Sequence, residues 1–171
     1  AGNFRNLPVW LAGAGSNATA LGEAARGEGI EHIELAPTGD EAELLAWLEE
    51  RRRTPYPTTA QLQVGKPFPT RTHWLRLAPM APDARALATI DRATNTIALE
   101  VQGASSATLY LNDQLVDLGR PLKVTWGDEV ATFDLQPRLD DTLTLLADGT
   151  SDPGAVYTIE LFVDLAGWAP P

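Results

Sequence analysis

The residues best arranged for chemistry lie near the start of the chain. Gly13-Ala14-Gly15-Ser16-Asn17-Ala18 fits the pattern G-x-G-x-x-A, follows an apolar run and opens a helical one, with Glu34 about 20 residues on. Glycines there would let the backbone approach a pyrophosphate at the helix N-terminus, and Glu34 would hold a ribose. A dinucleotide-binding sheet needs several more parallel strands, however, and the pattern becomes all-β after residue 57, so the same turn also reads as an ordinary strand-to-helix connection. The acidic residues Asp140, Asp141, Asp148 and Asp152 offer hard oxygen ligands for calcium, yet their spacing is not that of an EF-hand loop, and Asp-Gly and Asp-Pro are common turn chemistry. The two histidines, His32 in a strand pattern and His73 beside Trp74, do not by themselves make a metal site. No spacing favours a carboxylate pair for glycoside hydrolysis. Of the five tryptophans, Trp10, Trp47 and Trp74 sit within apolar patterns, whereas Trp126 precedes a Gly-Asp turn and Trp168 lies in the tail. Trp126 and Trp168 are therefore the candidate ligand-binding residues, as flat platforms for a sugar ring. No catalytic, cofactor or metal residue is assigned.

Composition narrows the partners. Thirteen Lys and Arg against 23 Asp and Glu give the 171-residue chain a formal net charge of -10, which repels phosphate backbones and speaks against nucleic acid. The chain has no cysteine, which excludes disulfides, thiol catalysis and thiolate metal sites. No apolar run reaches membrane-spanning length, and no basic segment followed by an apolar stretch opens the chain. The sequence enters an apolar strand pattern almost directly after Ala1, as a piece cut from a longer chain or a processed terminus would.

Two textures follow one another. Residues 7–12 form a short apolar run, and residues 18–28 carry Ala20, Leu21, Ala24 and Ala25 at helical spacing, with Asn17 as N-cap and Gly29 as the stop. Residues 30–35 alternate as a second strand. Residues 40–53 form a second helix whose apolar face is Ala42, Leu44, Leu45, Trp47 and Leu48. Two strands and two helices are not expected to cover both faces of a parallel sheet, so this unit should need neighbours. After Thr54-Pro55-Tyr56-Pro57 the chain breaks into short β-patterned runs: 60–64, 73–77, 86–91, 96–101, 107–111, 115–118, 122–126, 130–135 and 157–163. Turns are expected at 92–95, Asn112-Asp113 and Gly127-Asp128, and a short helix at 139–147.

Residues 6–53 resemble the closing segment of an α/β-hydrolase of the esterase and dienelactone-hydrolase type. The stretches Arg52-Arg53-Thr54-Pro55-Tyr56-Pro57, Thr72-His73-Trp74-Leu75, Thr108-Leu109-Tyr110-Leu111-Asn112-Asp113 and Leu115-Val116-Asp117-Leu118 resemble the β-sandwich appended to certain large bacterial hydrolases of that superfamily. The resemblance implies a triad acid in the loop after the first strand and a triad histidine after the second. This chain has Gly13-Ala14-Gly15-Ser16-Asn17 and Thr38-Gly39-Asp40 there, with no carboxylate in the first and an aspartate in place of the imidazole in the second. The Gly-x-Ser-x-Gly elbow is absent. The expectation is thus an α+β chain: a strand-helix-strand-helix remnant of hydrolase type over residues 1–54, then an antiparallel β-sandwich of immunoglobulin or fibronectin type over residues 55–171. It would be a non-catalytic structural or interaction region partnered by an upstream catalytic domain or another copy of itself. The alternatives are a carbohydrate- or protein-binding sandwich and, lower, a nucleotide-binding fragment at Gly13-Ala18.

Overall fold

The computed structural model describes residues 8–12, 15–30, 32–36, 40–51, 54–65, 70–147 and 154–165. The chain is α+β and divides into two units, Ala1–Thr54 and Pro55–Pro171. Pro55 and Pro57 stand at the join, where fixed φ angles and missing N–H donors oppose any continuation of a helix.

In the first unit, strands β1 (Val9–Ala12) and β2 (Ile33–Ala36) pair in parallel, Val9 beside Ile33 and Trp10 beside Glu34. They are linked by helix α1 (Ser16–Gly27) and followed by helix α2 (Glu41–Glu50). Strand alternation sends Val9, Leu11 and Ile33 to one face, where they pack with Ala25 and Ile30. Gly22 lets α1 approach closely, since a Cβ there would meet the Leu35 side chain at 3.1 Å. The opposite face carries Trp10, whose ring lies edge-on to Trp47 of α2 with centroids 5.4 Å apart. Each face therefore receives a helix, contrary to the expectation from the helix count, because two strands are narrow enough for one helix per side. The cap of α1 is Gly15, not Asn17, and it makes no side-chain hydrogen bond. The stop at Gly29 is a Schellman turn: Gly29 has φ 71°, Gly29 N–H donates to Arg26 O, and Ile30 N–H donates to Ala25 O. The α2 face is less buried than its pattern implies. Trp47 is buried, but Leu45 and Leu48 remain 54% and 50% exposed.

The second unit is sheet-rich and sandwich-like. One sheet has the order β10-β9-β7-β6-β3 and contains β3 (Thr59–Gln63), β6 (Arg85–Asp91), β7 (Thr96–Gln102), β9 (Leu122–Trp126) and β10 (Glu129–Phe133). The other, ordered β11-β8-β5-β4, contains β4 (Arg71–Thr72), β5 (Leu75–Pro79), β8 (Ala104–Leu111) and β11 (Ile159–Asp164). Inward residues of both sheets, among them Leu62, Leu75, Leu77, Ala88, Ile97, Leu99, Leu109 and Val124, form one continuous core. Each fully buried leucine contributes about 1.5–3 kcal/mol. Helix α3 (Leu139–Ala147) precedes β11 and sends Leu145 into that core.

Four expectations are corrected here. The sandwich is not wholly antiparallel: β7 and β9 pair in parallel, because the chain leaves for the other sheet as β8 and returns in the original direction. Residues 115–118 form no strand. Leu115 and Val116 N–H both donate to Asn112 O, and this curl drives the two side chains into the core, where both are fully buried. Asn112-Asp113 is accordingly not a hairpin turn but the start of a crossover. Gly127-Asp128 does close the β9–β10 hairpin, with Gly127 at φ 58°. His73 lies in the β4–β5 turn at φ 43° instead of in a strand.

The Asn95 side chain clamps the end of the crossover. Asn95 ends the β6–β7 turn at φ 52° and is buried. Its Nδ2 donates to Asp117 O, Arg120 O and Pro121 O at 3.0–3.2 Å, and its Oδ1 accepts from Asp117 N–H at 2.8 Å. Arg120 returns the bond by donating to Asp117 Oδ2 at 2.7 Å and to Arg92 O, while Arg92 donates to Asp113 O and Gln114 O. The Asp117 carboxyl is held below the usual carboxylate range, first by the Gly119 N–H and then by Arg120. Asn95→Ala leaves several groups without partners and places a Cβ residue with no compensating bond at a left-handed φ. Urea denaturation should show a loss of about 2–3 kcal/mol. A loss below about 0.5 kcal/mol, the ordinary surface value, would contradict the clamp.

Candidate functional site

Several residues singled out by type already have structural work. Gly13 and Ala14 lie outside the described residues, as do Thr38 and Gly39. Glu34, the candidate ribose ligand, pairs with Arg51 at 3.6 Å, and the Arg51 guanidinium sits 4.8 Å over the Trp47 ring. Asp40, at the position implied for a triad histidine, caps α2 by accepting from Ala42 N–H at 2.9 Å. His32 and His73 belong to different units. Asp140 and Asp141 are exposed on the first turn of α3, and Asp148 and Asp152 lie outside the described residues. Among the described residues no group of three or more His, Asp or Glu converges on a metal position. Trp126 is half-buried and packs against the sandwich core, which leaves one part of its ring accessible at the end of β9. Trp168 lies outside the described residues.

The richest side-chain cluster instead occupies the outer face of the four-stranded sheet. Register places Arg71 of β4 directly opposite Arg76 of β5, Arg76 opposite Thr108 of β8, and Thr108 opposite Phe162 of β11. Because Leu75, Leu77, Leu109 and Val163 point into the core, this row points outward. The adjoining row pairs Tyr110 with Glu160. The Arg71 guanidinium lies 4.1 Å over the Tyr110 ring and 5.7 Å from that of Tyr157, and Tyr56 packs edge-on against Tyr157 at 6.0 Å. The Tyr56 hydroxyl accepts from Val156 N–H at 2.8 Å, which pins this aromatic wall to the chain entering β11. Trp74 supports the turn from beneath, its indole N–H donating to Pro57 O at 2.6 Å.

Electrostatically the cluster is unbalanced. Arg71 Nε donates to His73 O at 3.3 Å, but its Nη1 is buried with no hydrogen-bond partner among the described residues. Burial pushes the Arg71 pKa down, opposed by the nearby tyrosines and Glu160, and Arg76 lowers it further. Arg76 donates to the Tyr110 hydroxyl at 3.5 Å, a long bond that nonetheless favours its charged form. Neither arginine makes an ion pair among the described residues. Beside them, Glu160 and the 62% exposed Phe162 line a groove of about 320 Å³ with Asp141 and Thr144 of α3. Two guanidinium groups, a phenol, carboxylates and an exposed ring make a recognition surface. They supply no nucleophile with an adjacent base. Sequence reading missed this site because β4 is only two residues long and the Arg71–Arg76 pairing is created by a tight turn, not by periodicity.

No protein-family model, no curated protein and no solved structure matches the chain.

Arg71 is half-buried, carries an unbonded N–H and faces another cation, so its electrostatics oppose the folded state while its stem and ring stacking favour it. Arg71→Met keeps the stem and removes the charge. Its stability by thermal and urea unfolding should fall within about 0.5 kcal/mol of the native protein or above it. Tyr110→Ala empties the wall and should cost about 3–5 kcal/mol. A loss above about 2 kcal/mol in Arg71→Met would make Arg71 a structural pillar instead.

Proposed function

We propose that this chain is a non-catalytic interaction region of a larger α/β protein of the hydrolase type that residues 6–53 resemble. Its first unit contributes strands and helices to a neighbouring parallel sheet, and its sandwich serves as a positioning and binding module. The observation that carries this reading is the two-stranded parallel sheet of the first unit, which has a helix on each face and no further strand on either edge among the described residues. Parallel strands pair slightly less strongly than antiparallel ones and occur in sheets of several strands with covered faces. Two strands alone leave unpaired N–H and C=O groups along both edges.

Two details support it. The indole N–H groups of Trp10 and Trp47 are buried without an acceptor among the described residues, the mark of an incompletely satisfied layer. Leu45 and Leu48 leave an apolar strip exposed on α2. The occupant proposed for these edges is the sheet of an upstream catalytic domain. Asp40 supports the non-catalytic part of the reading, because a carboxylate engaged as a helix cap cannot act as the imidazole of a triad.

A second reading, a carbohydrate-binding sandwich, is favoured by Phe162 exposed beside the groove on α3 and β11. The purified chain should not hydrolyse short-chain activated esters above the buffer rate. Turnover that disappears when one serine of this chain is replaced would overturn the primary reading.

A further inference from the structure

We infer that the outer face of the four-stranded sheet binds a sugar chain carrying a single carboxylate, with Arg71 and Arg76 holding the carboxylate and Phe162 supporting the sugar ring. This inference is independent of how the first unit is completed and rests on the sandwich alone.

The anion follows from the arginine pair. Like charges directly opposite each other on neighbouring strands disfavour that pairing, and among the described residues neither arginine is ion-paired, Glu160 acting on both only from beyond ion-pair distance. The Arg71 guanidinium is held in place by the Tyr110 ring and by the bond from Nε to His73 O. A planar carboxylate on the solvent side of the two guanidinium groups would neutralise the repulsion, and bidentate geometry is the natural fit between these groups. The Tyr110 hydroxyl, already within 3.5 Å of Arg76, lies beside the same position.

The sugar follows from what surrounds the pair. Phe162 is two strands away from Arg76 in the same row, about 10 Å at the usual strand spacing. It offers an exposed apolar ring against which the C–H face of a pyranose can lie. Between and beside them stand Thr108, Thr144, Glu160 and Asp141, and the two carboxylates are acceptors for hydroxyl groups. A phosphate or a run of carboxylates would meet Glu160, Asp141 and a chain of net charge -10 unfavourably. One carboxylate among neutral hydroxyls meets both halves of the surface.

The test is titration of the ¹⁵N-labelled full chain with cellobiouronic acid, with cellobiose and triglutamate as comparisons. The expected result is saturable shifts at the amides of Arg71, Arg76, Tyr110 and Phe162 with cellobiouronic acid. Affinity should weaken about tenfold or more in Arg76→Gln and in Phe162→Ala, the loss of one good contact, and stay unchanged in Arg85→Gln on the other sheet. Arg76 and Phe162 are exposed, so both variants keep the fold, which their thermal unfolding checks. Three results would each overturn the inference: no localised shift at millimolar ligand, equal binding of triglutamate, or equal affinity in Arg76→Gln and Arg85→Gln.

Discussion

The sandwich depends on its buried amides, Asn95 above all. Its two sheets can share one core only if the chain leaves the five-stranded sheet after β7, crosses as β8 and returns as β9 at the correct height. Asn95 enforces that return by bonding the backbone at Asp117, Arg120 and Pro121 from the end of β7's own turn. The curl it secures buries Leu115 and Val116, sets β9 parallel to β7, and fixes the frame of β8. Everything proposed for the outer face hangs from β8, because Thr108 and Tyr110 join the arginines on one side to Glu160 and Phe162 on the other.

The two units are held together by different physics. The second unit closes a core between two sheets, and its polar crossover is saturated with hydrogen bonds. The first relies on narrow apolar contacts through Ala25, Ile30 and Ile33 on one side and a tryptophan pair on the other. Among the described residues it leaves strand edges and two indole donors without partners, and two leucines exposed. Such a layer gains most by extension. That asymmetry supports reading the chain as part of a larger assembly, with chemistry elsewhere and recognition on the sandwich.

Much of this was legible from local signals. Gly29 marked a helix stop because only a left-handed residue forms the Schellman turn, the Leu139–Ala147 helix followed from its own periodicity, and Gly127-Asp128 carried a hairpin signature. The failures came where tertiary contacts overrode local pattern. Leu115 to Leu118 alternates like a strand, yet the Asn112 and Asn95 side chains bend it into a plug. Leu45 and Leu48 sit at helical spacing for burial, but the narrow sheet has no surface for them. The arginine row was invisible because cross-strand register belongs to no single segment, and Trp126, prominent by position, packs largely against the core.

The central claim, that the first unit is one part of a wider parallel sheet, is tested most directly by residue-resolved hydrogen exchange on the chain alone. The account predicts that amides of Val9–Ala12 and Ile33–Ala36 exchange by local opening, orders of magnitude faster than those of Ile97, Leu99 and Leu109 in the sandwich core. Equal protection of both sets in a monomeric protein would mean that the two-stranded sheet is already complete, and would contradict it.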